Sequence, residues 1–168
     1  MSDSFDLVVL GGGCAGLSLS MALAARGGLC PRTLVIEPRT TYTNDRTWCY
    51  WNDASVAVPY PVQHRWQTMR VAHAGQRVLL GCGSTPYHML AAQDFYAAAH
   101  ALIDSQQNIT LRQGVSVLGE PSRSAGMWNV RTSSGTVMAR SIVDTRPPML
   151  PSCDGATLWQ SLDRKSVV

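Results

Sequence analysis

Two continuous apolar runs, separated by a glycine-rich segment and a stretch of small residues, dominate the beginning of the chain. Residues 7–10 and 34–36 are apolar without polar alternation. Runs of this kind predict strands that are covered on both faces in a parallel sheet. The small and apolar side chains of residues 17–26 predict a helix between them. The order predicts a β-α-β unit over residues 6–37.

After this unit the apolar runs become shorter and predict small strands. Residues 66–72 and 76–80 flank Gly75 and predict a hairpin, and a short strand is predicted over residues 56–58. The pattern interrupts the β-α alternation. It predicts a β segment over residues 52–86, inserted into the parallel-sheet domain on its substrate side.

The second half of the chain combines one helical stretch with further strands. Residues 87–107 predict a helix, because Ala91, Phe95, Ala98 and Leu102 form an apolar stripe. Strands are predicted over residues 109–111, 115–118, 127–132, 136–139 and 141–144, the last of them buried. This order predicts an α/β fold, namely a single Rossmann-like domain over residues 1–168 with a parallel sheet and a β-meander, the order in which many FAD-binding domains are built.

The turn between the first strand and the first helix has the spacing of a dinucleotide fingerprint. Gly11 allows a sharp turn, Gly13 lets a pyrophosphate approach the backbone, and Gly16 allows close packing of helix on strand. Cys14 and Ala15 are the small residues between them and complete the candidate cofactor-binding turn. The helix would direct its unpaired N–H groups at the phosphate.

Glu37 ends the second apolar run, where a carboxylate accepts hydrogen bonds from ribose hydroxyls. Such a carboxylate repels a 2′-phosphate, which favours NAD or FAD over NADP. Arg39, two positions later, weakens that exclusion. The spacing does not separate FAD from NAD.

Residues 44–51 place three aromatic side chains, an arginine and an acid directly after the β-α-β unit. Ligands bind beside the carboxyl ends of strands in open α/β sheets, so we expect Arg46 near flavin or phosphate. Trp48 and Trp51 have two interpretations. They line an apolar substrate cavity, or they cover the edge of the sheet.

Composition and charge exclude several classes of protein. A hydrophobic content of 45% with 15% charged residues is typical of a globular chain. The formal net charge of +3 comes from scattered arginines, so no nucleic-acid patch is expected, although it allows attraction to an anionic membrane surface. No membrane span or signal peptide is recognised, which predicts a cytoplasmic protein, with peripheral membrane contact left open.

The five cysteines and four histidines predict neither a disulfide framework nor a metal site. They show no C-x-x-C pair and no metal-ligand spacing. Cys14 lies where a helix N-terminus can lower a thiol pKa, but a small packing residue is the preferred interpretation. The histidines are expected to be exposed or hydrogen-bonded.

Several motifs together resemble the FAD-dependent lycopene cyclase family. The specific motif is Asn-Asp-Arg-Thr-Trp-Cys-Tyr-Trp at residues 44–51. Further matches, in order and spacing, are residues 5–18, 36–38, 87–90, 94–96, 144–147 and 158–161. The resemblance implies a flavoenzyme that uses reduced FAD to close the ends of lycopene into β-ionone rings without net electron transfer. A proton adds to the terminal double bond, a neighbouring alkene attacks the resulting carbocation, and loss of a proton gives the ring.

The resemblance also implies a longer protein, because family members continue past the segment at residues 158–161. The chain is therefore expected to be a C-terminally truncated member whose catalytic acid lies beyond Val168. Glu37 is assigned to ribose, Glu120 lies in a loop, and Asp45 is unsupported as an acid. The isolated chain is expected to bind FAD weakly and not to cyclise lycopene.

Two other functions are compatible with the same scaffold. One is a flavin-dependent redox enzyme, such as a monooxygenase, halogenase or polyprenyl reductase, and the other is a non-catalytic nucleotide-binding remnant. NAD(P)H is a candidate electron donor for the flavin. The number of lycopene ends cyclised and the oligomeric state stay open.

Overall fold

The computed structural model of the protein describes residues 4–147. Cys153, the segment at residues 158–161 and the expected truncation at the end of the chain lie outside the described residues. The described strands are β1 (Ser4–Leu10), β2 (Thr33–Glu37), β3 (Thr47–Trp51), β4 (His64–Trp66), β5 (Thr68–His73), β6 (Gln76–Gly81), β7 (Tyr87–Ala91), β8 (Ile109–Gln113), β9 (Ser122–Ser124), β10 (Met127–Thr132) and β11 (Gly135–Asp144). The described α-helices are α1 (Cys14–Ala24) and α2 (Ala92–Asp104).

The largest sheet has the strand order β8-β2-β1-β11-β10-β9. The first four strands in this order run parallel, whereas β9, β10 and β11 form an antiparallel meander. The observed sheet confirms the predicted α/β fold with a β-meander. Strand β2 contains the apolar run at residues 34–36 and extends it by one residue at each end. Helix α1 begins three residues before the predicted helix because the glycine turn leads directly into it.

Alternate residues of β1 and β2 enter two separate cores, one on each face of the sheet. On one face, Val9 and Val35 pack with residues of α1 and α2, including Leu17 and Phe95. On the other face, a second cluster forms against the meander; its members are Phe5, Val8, Leu10, Leu34, Ile36, Val115, Val130, Val137 and Ala139. Burial on both faces explains why these strands are continuously apolar.

A second sheet, of order β3-β7-β4, packs on the helical side through its inner face. Strands β5 and β6 form a separate two-stranded hairpin, which confirms the hairpin expected around Gly75. Trp66, which the sequence placed in that hairpin, belongs instead to β4 and pairs with Tyr87. The small sheet therefore extends beyond the predicted 52–86 segment. Of its strands, only β4 lies within that segment, whereas β3 precedes it and β7 follows it.

The helix predicted over residues 87–107 is wrong in its first turn. Residues Tyr87–Ala91 form β7, the central strand of the second sheet, and its hydrogen bonds to both neighbours outweigh local helix propensity. Helix α2 begins only at Ala92. Its apolar stripe is displaced from the predicted one and consists of Ala92, Phe95, Tyr96, Ala99 and Ile103.

The strand predicted over residues 56–58 does not form. The side chain of Asn52 donates a hydrogen bond of 2.9 Å to the carbonyl of Val56 and holds a turn there. Pro59 and Pro61 follow, and neither has an N–H group for a ladder.

The strand predicted over residues 115–118 is reduced to a single bridge between Val117 and Thr132. Gly114 and Gly119 turn the chain at both ends, with φ of 71° and 72°. The strand predicted over residues 141–144 exists as the end of β11 but is not buried, because in the described part of the chain β11 packs mainly on its sheet neighbours β1 and β10.

Candidate functional site

The glycine turn lies where β1 meets α1, at the carboxyl edge of the parallel strands. Gly11 has a φ of +101°, and its N–H donates to the carbonyl of Ile36 over 2.9 Å. A side chain at Gly16 would collide with the Gly11 carbonyl, so only glycine allows this approach. A Cβ atom at Gly13 would meet nothing within 4 Å, and no side chain caps the helix there. The backbone at Gly13 is therefore open to an anionic group.

The carboxylate of Glu37 is bound directly to this turn. Glu37 is 4% exposed, and its Oε2 accepts a hydrogen bond of 2.7 Å from the Gly12 N–H. Its Oε1 accepts bonds from the backbone N–H and Nε of Arg39, over 3.0 and 2.8 Å. Burial alone would raise the pKa of Glu37, but the bonds from Arg39 and Gly12 hold that pKa below its ordinary value. The carboxylate is thus an ionised, oriented acceptor.

Arg39 and two tyrosines hold the turn from the side of α2. The Arg39 guanidinium lies 4.5 Å from the ring centroid of Tyr42 and 5.5 Å from that of Tyr96. Arg39 Nη2 and Tyr42 Oη both donate to the carbonyl of Gly12, over 3.2 and 2.9 Å. Sequence reasoning missed both tyrosines, because only the fold brings Tyr96 to a loop that lies far from it in the chain.

The end of β11 closes the turn from the opposite side. Thr145 Oγ1 lies 3.0 Å from the carbonyl oxygens of both Leu10 and Gly11. Asp144 pairs with Arg146 over 2.7 Å, at the carboxyl end of the strand beside β1. The motif at residues 144–147 therefore belongs to the same site as the glycine turn, as far as the described residues show it.

Cys14, Ala15 and Arg46 lie around the first turn of α1. Burial raises the pKa of the Cys14 thiol, and the lowering influence of Ser18 and Arg46 does not cancel it. Cys14 also packs against the core, which favours a small packing residue over an activated thiol. Ala15 is exposed. Arg46 pairs with Asp45 over 2.9 Å and keeps half of its side chain exposed, so its assignment to flavin or phosphate stays a prediction.

The segment that carries Arg46 also holds the start of α2. Asn44 Oδ1 accepts a hydrogen bond of 3.3 Å from the N–H of Gln93, and the carbonyl of Arg46 accepts one of 3.0 Å from Ala92. These bonds satisfy N–H groups that a helix start leaves unpaired. The motif at residues 44–51 thus has a structural role as well as a candidate binding role.

Trp48 and Trp51 lie on opposite faces of β3. Trp48 packs edge-on against Phe95 and Tyr96, with ring centroids 5.1 and 5.6 Å apart, and so contributes to the core. Trp51 is 59% exposed and lies 4.7 Å from the ring of Tyr87. Only Trp51 has a face free of described residues, and its contact with substrate stays a prediction.

His88 departs from the expectation that the histidines are exposed or hydrogen-bonded. It is 1% exposed, and neither ring nitrogen has a partner among the described residues. Its ring lies 5.5 Å from that of Tyr50. Burial, aided by the charge of Arg65, lowers the pKa of His88, so the ring is neutral at neutral pH.

We expect a His88→Leu variant to be more stable than the wild type by about 1 kcal/mol near neutral pH, because it removes an unpaired buried polar group. The unfolded imidazole takes up a proton below about pH 6.5, whereas the folded one resists. Wild-type stability therefore falls as the pH drops from that value, and the variant should show a weaker fall. Urea unfolding at neutral and mildly acidic pH measures both effects.

The matched control is His73→Leu at the exposed end of β5, which should leave stability at neutral pH unchanged. A loss of stability in His88→Leu would contradict the prediction and would indicate that the buried ring has a bound partner.

The described residues place no three His, Cys, Asp or Glu side chains where they could hold a metal ion. Neither α1 nor α2 has the length and apolar content of a membrane-spanning helix. The described site offers an open backbone for an anion, with an oriented carboxylate beside it.

A family model described as lycopene cyclase protein matches residues 6–162. Among curated proteins, no sequence matches the chain significantly. Solved structures match with TM-scores above 0.5 at low sequence identity, and they therefore show the fold alone.

Three of these structures illustrate the range of the fold. NikD, an unusual amino acid oxidase essential for nikkomycin biosynthesis, is 20% identical with a TM-score of 0.56, and the match covers 86% of this chain and 51% of NikD. A probable FAD-dependent monooxygenase, pqsL from Pseudomonas aeruginosa, is 17% identical with a TM-score of 0.61. The match covers 83% of this chain and 42% of pqsL. A geranylgeranyl bacteriochlorophyll reductase-like protein from Thermoplasma acidophilum is 14% identical with a TM-score of 0.59. The match covers 86% of this chain and 39% of the reductase-like protein. The chain spans about half, or less, of the length of these structures.

Proposed function

The chain belongs to the lycopene cyclase family, and we propose that it forms the FAD-binding part of an enzyme that cyclises the ends of lycopene. The reaction is an acid-catalysed isomerisation with reduced FAD and no net electron transfer. The observation that carries the proposal is the buried Glu37 carboxylate, anchored 2.7 Å from the N–H of Gly12 in a turn whose Gly13 backbone is open.

The residues of the turn fit a dinucleotide. The open backbone at Gly13 and the uncapped start of α1 would receive the pyrophosphate, and Glu37 would accept the ribose hydroxyls. Arg46, exposed beside the first turn of α1, would add positive charge. The FAD-dependent monooxygenase with the same fold supports FAD rather than NAD as the ligand. When bound, the reduced flavin would supply negative charge near the developing carbocation.

Three aromatic rings on the outer face of the second sheet are suited to a hydrocarbon substrate. Trp51 and Trp66 both pair with Tyr87, so the three side chains share one face across three strands. The ring centroids of Trp51 and Tyr87 are 4.7 Å apart, and those of Trp66 and Tyr87 are 6.1 Å apart. We propose that this row contacts the polyene and that its π electrons stabilise a nearby cation.

The proton donor is a different group from the carboxylates already described. Hydrogen bonds lower the pKa of Glu37, and the Arg46 guanidinium does the same for Asp45 in spite of some burial, so both are ionised at neutral pH. Glu120 is exposed. The acid is expected to come from outside residues 4–147.

A flavin-dependent oxidoreductase is the second candidate function. A monooxygenase and a reductase-like protein share the fold, and NAD(P)H would then serve as electron donor. The two candidates differ in their products. Cyclisation conserves the mass of lycopene, whereas oxygenation or reduction changes it.

The proposal is tested in two stages. First, the purified chain is titrated with FAD, NAD and NADP, with flavin fluorescence and competition as readouts; we expect weak, saturable FAD binding that NADP does not displace. Second, the longest open reading frame containing the chain is expressed in lycopene-producing cells, and carotenoids are analysed by chromatography and mass spectrometry.

A ring-bearing product with unchanged mass supports cyclisation. A product with altered mass supports the oxidoreductase, and bound FAD without any conversion supports a non-catalytic remnant. Failure to bind FAD would overturn the cofactor assignment itself.

A further inference from the structure

The β5–β6 hairpin exposes an unusual amount of apolar surface. Val78, Leu79 and Leu80 are 54%, 67% and 48% exposed, and Val71 on the opposite strand is also exposed. Scattered exposed apolar side chains are ordinary, but Val71, Val78 and Leu80 share one face of the paired strands and form a contiguous patch, whereas Leu79 lies on the other face. Within residues 4–147 the two strands pack extensively only on each other.

The pairing of the two strands divides the hairpin into an apolar face and a basic face. Met69 lies opposite Leu80, and Val71 lies opposite Val78, so these four side chains share one face. On the other face, Arg70 lies opposite Leu79 and Arg77 lies opposite Ala72. Residues 68–81 contain no aspartate or glutamate. The hairpin is therefore amphipathic, with positive charge only.

A tryptophan, Trp66, lies just before the hairpin in the chain. Trp66 is partly exposed and precedes β5, and the N–H of Cys82 donates a hydrogen bond of 2.8 Å to the carbonyl of Gln67 at the base of the hairpin. Tryptophan suits a boundary between apolar and aqueous surroundings, since its ring is amphipathic. The base of the hairpin, like its apolar face, thus carries a side chain that is suited to contact with apolar surroundings.

We propose that the β5–β6 hairpin is the surface by which the protein docks on an anionic lipid bilayer. Met69, Val71, Val78 and Leu80 enter the boundary between headgroups and acyl chains. Arg70 and Arg77 remain at the level of the lipid phosphates, as basic residues do in amphipathic helices bound at the interface. Arg70 and Arg77 give the hairpin positive charge, and no acid in residues 68–81 offsets it. This charge favours an anionic membrane over an uncharged apolar partner.

The inference rests on exposed residues and charge, and it stands whether or not the chain cyclises lycopene. If the proposed function is also correct, the hairpin brings the aromatic row of the second sheet close to the phase in which a hydrocarbon substrate dissolves.

Vesicle flotation tests the charge of the hairpin, without flavin or carotenoid present. The purified chain is mixed with vesicles of phosphatidylcholine alone or of phosphatidylcholine with phosphatidylglycerol. We expect binding to the anionic vesicles that weakens with added salt. The double variant Arg70→Gln/Arg77→Gln should partition about 30-fold less into them. Arg26→Gln/Arg123→Gln removes the same charge elsewhere and should bind as the wild type does.

The apolar face is tested with Val78→Thr/Leu80→Thr, since threonine keeps the preference for strands but adds a hydroxyl. We expect about 10-fold weaker partition. The control Leu29→Thr/Leu118→Thr alters exposed apolar residues outside the hairpin and should have no effect. Circular dichroism and urea unfolding verify that each variant keeps the wild-type fold.

Equal binding to neutral and anionic vesicles, or wild-type binding by either hairpin variant, would overturn the proposal. So would sedimentation velocity data showing a dimer that only the Val78→Thr/Leu80→Thr variant dissociates, because the face would then be covered by a second copy of the chain. A chain that binds FAD but not vesicles disproves the docking surface alone.

Discussion

A Gly16→Ala variant is expected to lose about 3 kcal/mol or more of its free energy of unfolding. The added Cβ would overlap the carbonyl oxygen of Gly11, and both groups are backbone-fixed. Gly11 cannot yield easily, because its N–H is bonded to Ile36 and its carbonyl faces Thr145. Either α1 moves away from β1 or the turn opens. Urea unfolding of the chain without cofactor measures the loss directly.

Gly13→Ala is the matched control for that variant. Gly13 has a φ of −79° and open space at its Cβ position, so alanine should cost about 1 kcal/mol or less, as expected at the start of a helix. If the turn cradles a pyrophosphate, the new methyl group should nevertheless weaken FAD binding by about 10-fold or more. Equal destabilisation by the two variants would contradict the packing argument.

Glu37→Gln is expected to lower the affinity for FAD by about 10- to 100-fold, because hydrogen bonds to a charged acceptor contribute about 1.5–3 kcal/mol. The chain without cofactor should also lose about 2 kcal/mol of stability. Both carboxylate oxygens accept bonds, one from Gly12 and one from Arg39, but an amide has only one oxygen. One of these donors would then face an NH2 group. Fluorescence titration and urea unfolding measure the two losses.

Glu120→Gln makes the same chemical change at an exposed position and should leave both quantities unchanged. The pH dependence gives a second control. Because the folded pKa of Glu37 is lowered, its contribution is complete above the unfolded value of about 4.3 and is lost as the pH falls through the folded pKa. The glutamine variant should therefore show a shallower acid denaturation. An unchanged acid profile would show that the carboxylate is not the group responsible.

The first β-α-β unit could be predicted from the sequence because its signals are local. The glycine spacing, the two apolar runs and the terminal Glu37 all lie within one short stretch, and each depends on the residue's own backbone or immediate neighbours. The observed φ of Gly11 and the tight space at Gly16 match the predicted roles of these residues. Their roles in binding remain predictions.

Other parts of the site depend on pairings that no local pattern contains. Residues 87–91 form a strand instead of the predicted helix because they are hydrogen-bonded to β3 on one side and to β4 on the other. Tyr96 reaches Arg39 across 57 positions of sequence. His88 lies on β7, the central strand of the second sheet, and its burial without a partner depends on that position.

The contact between Thr145 and the glycine turn joins residues 134 positions apart. The glycine turn lies near the beginning of the printed sequence, but one of the last described residues holds it in place. During synthesis, the turn must wait for β11 to emerge and insert between β1 and β10, which requires one of the longest loop closures in the domain. Until that strand arrives, the nascent chain exposes an unpaired edge of β1, the condition under which strands pair with the wrong neighbour.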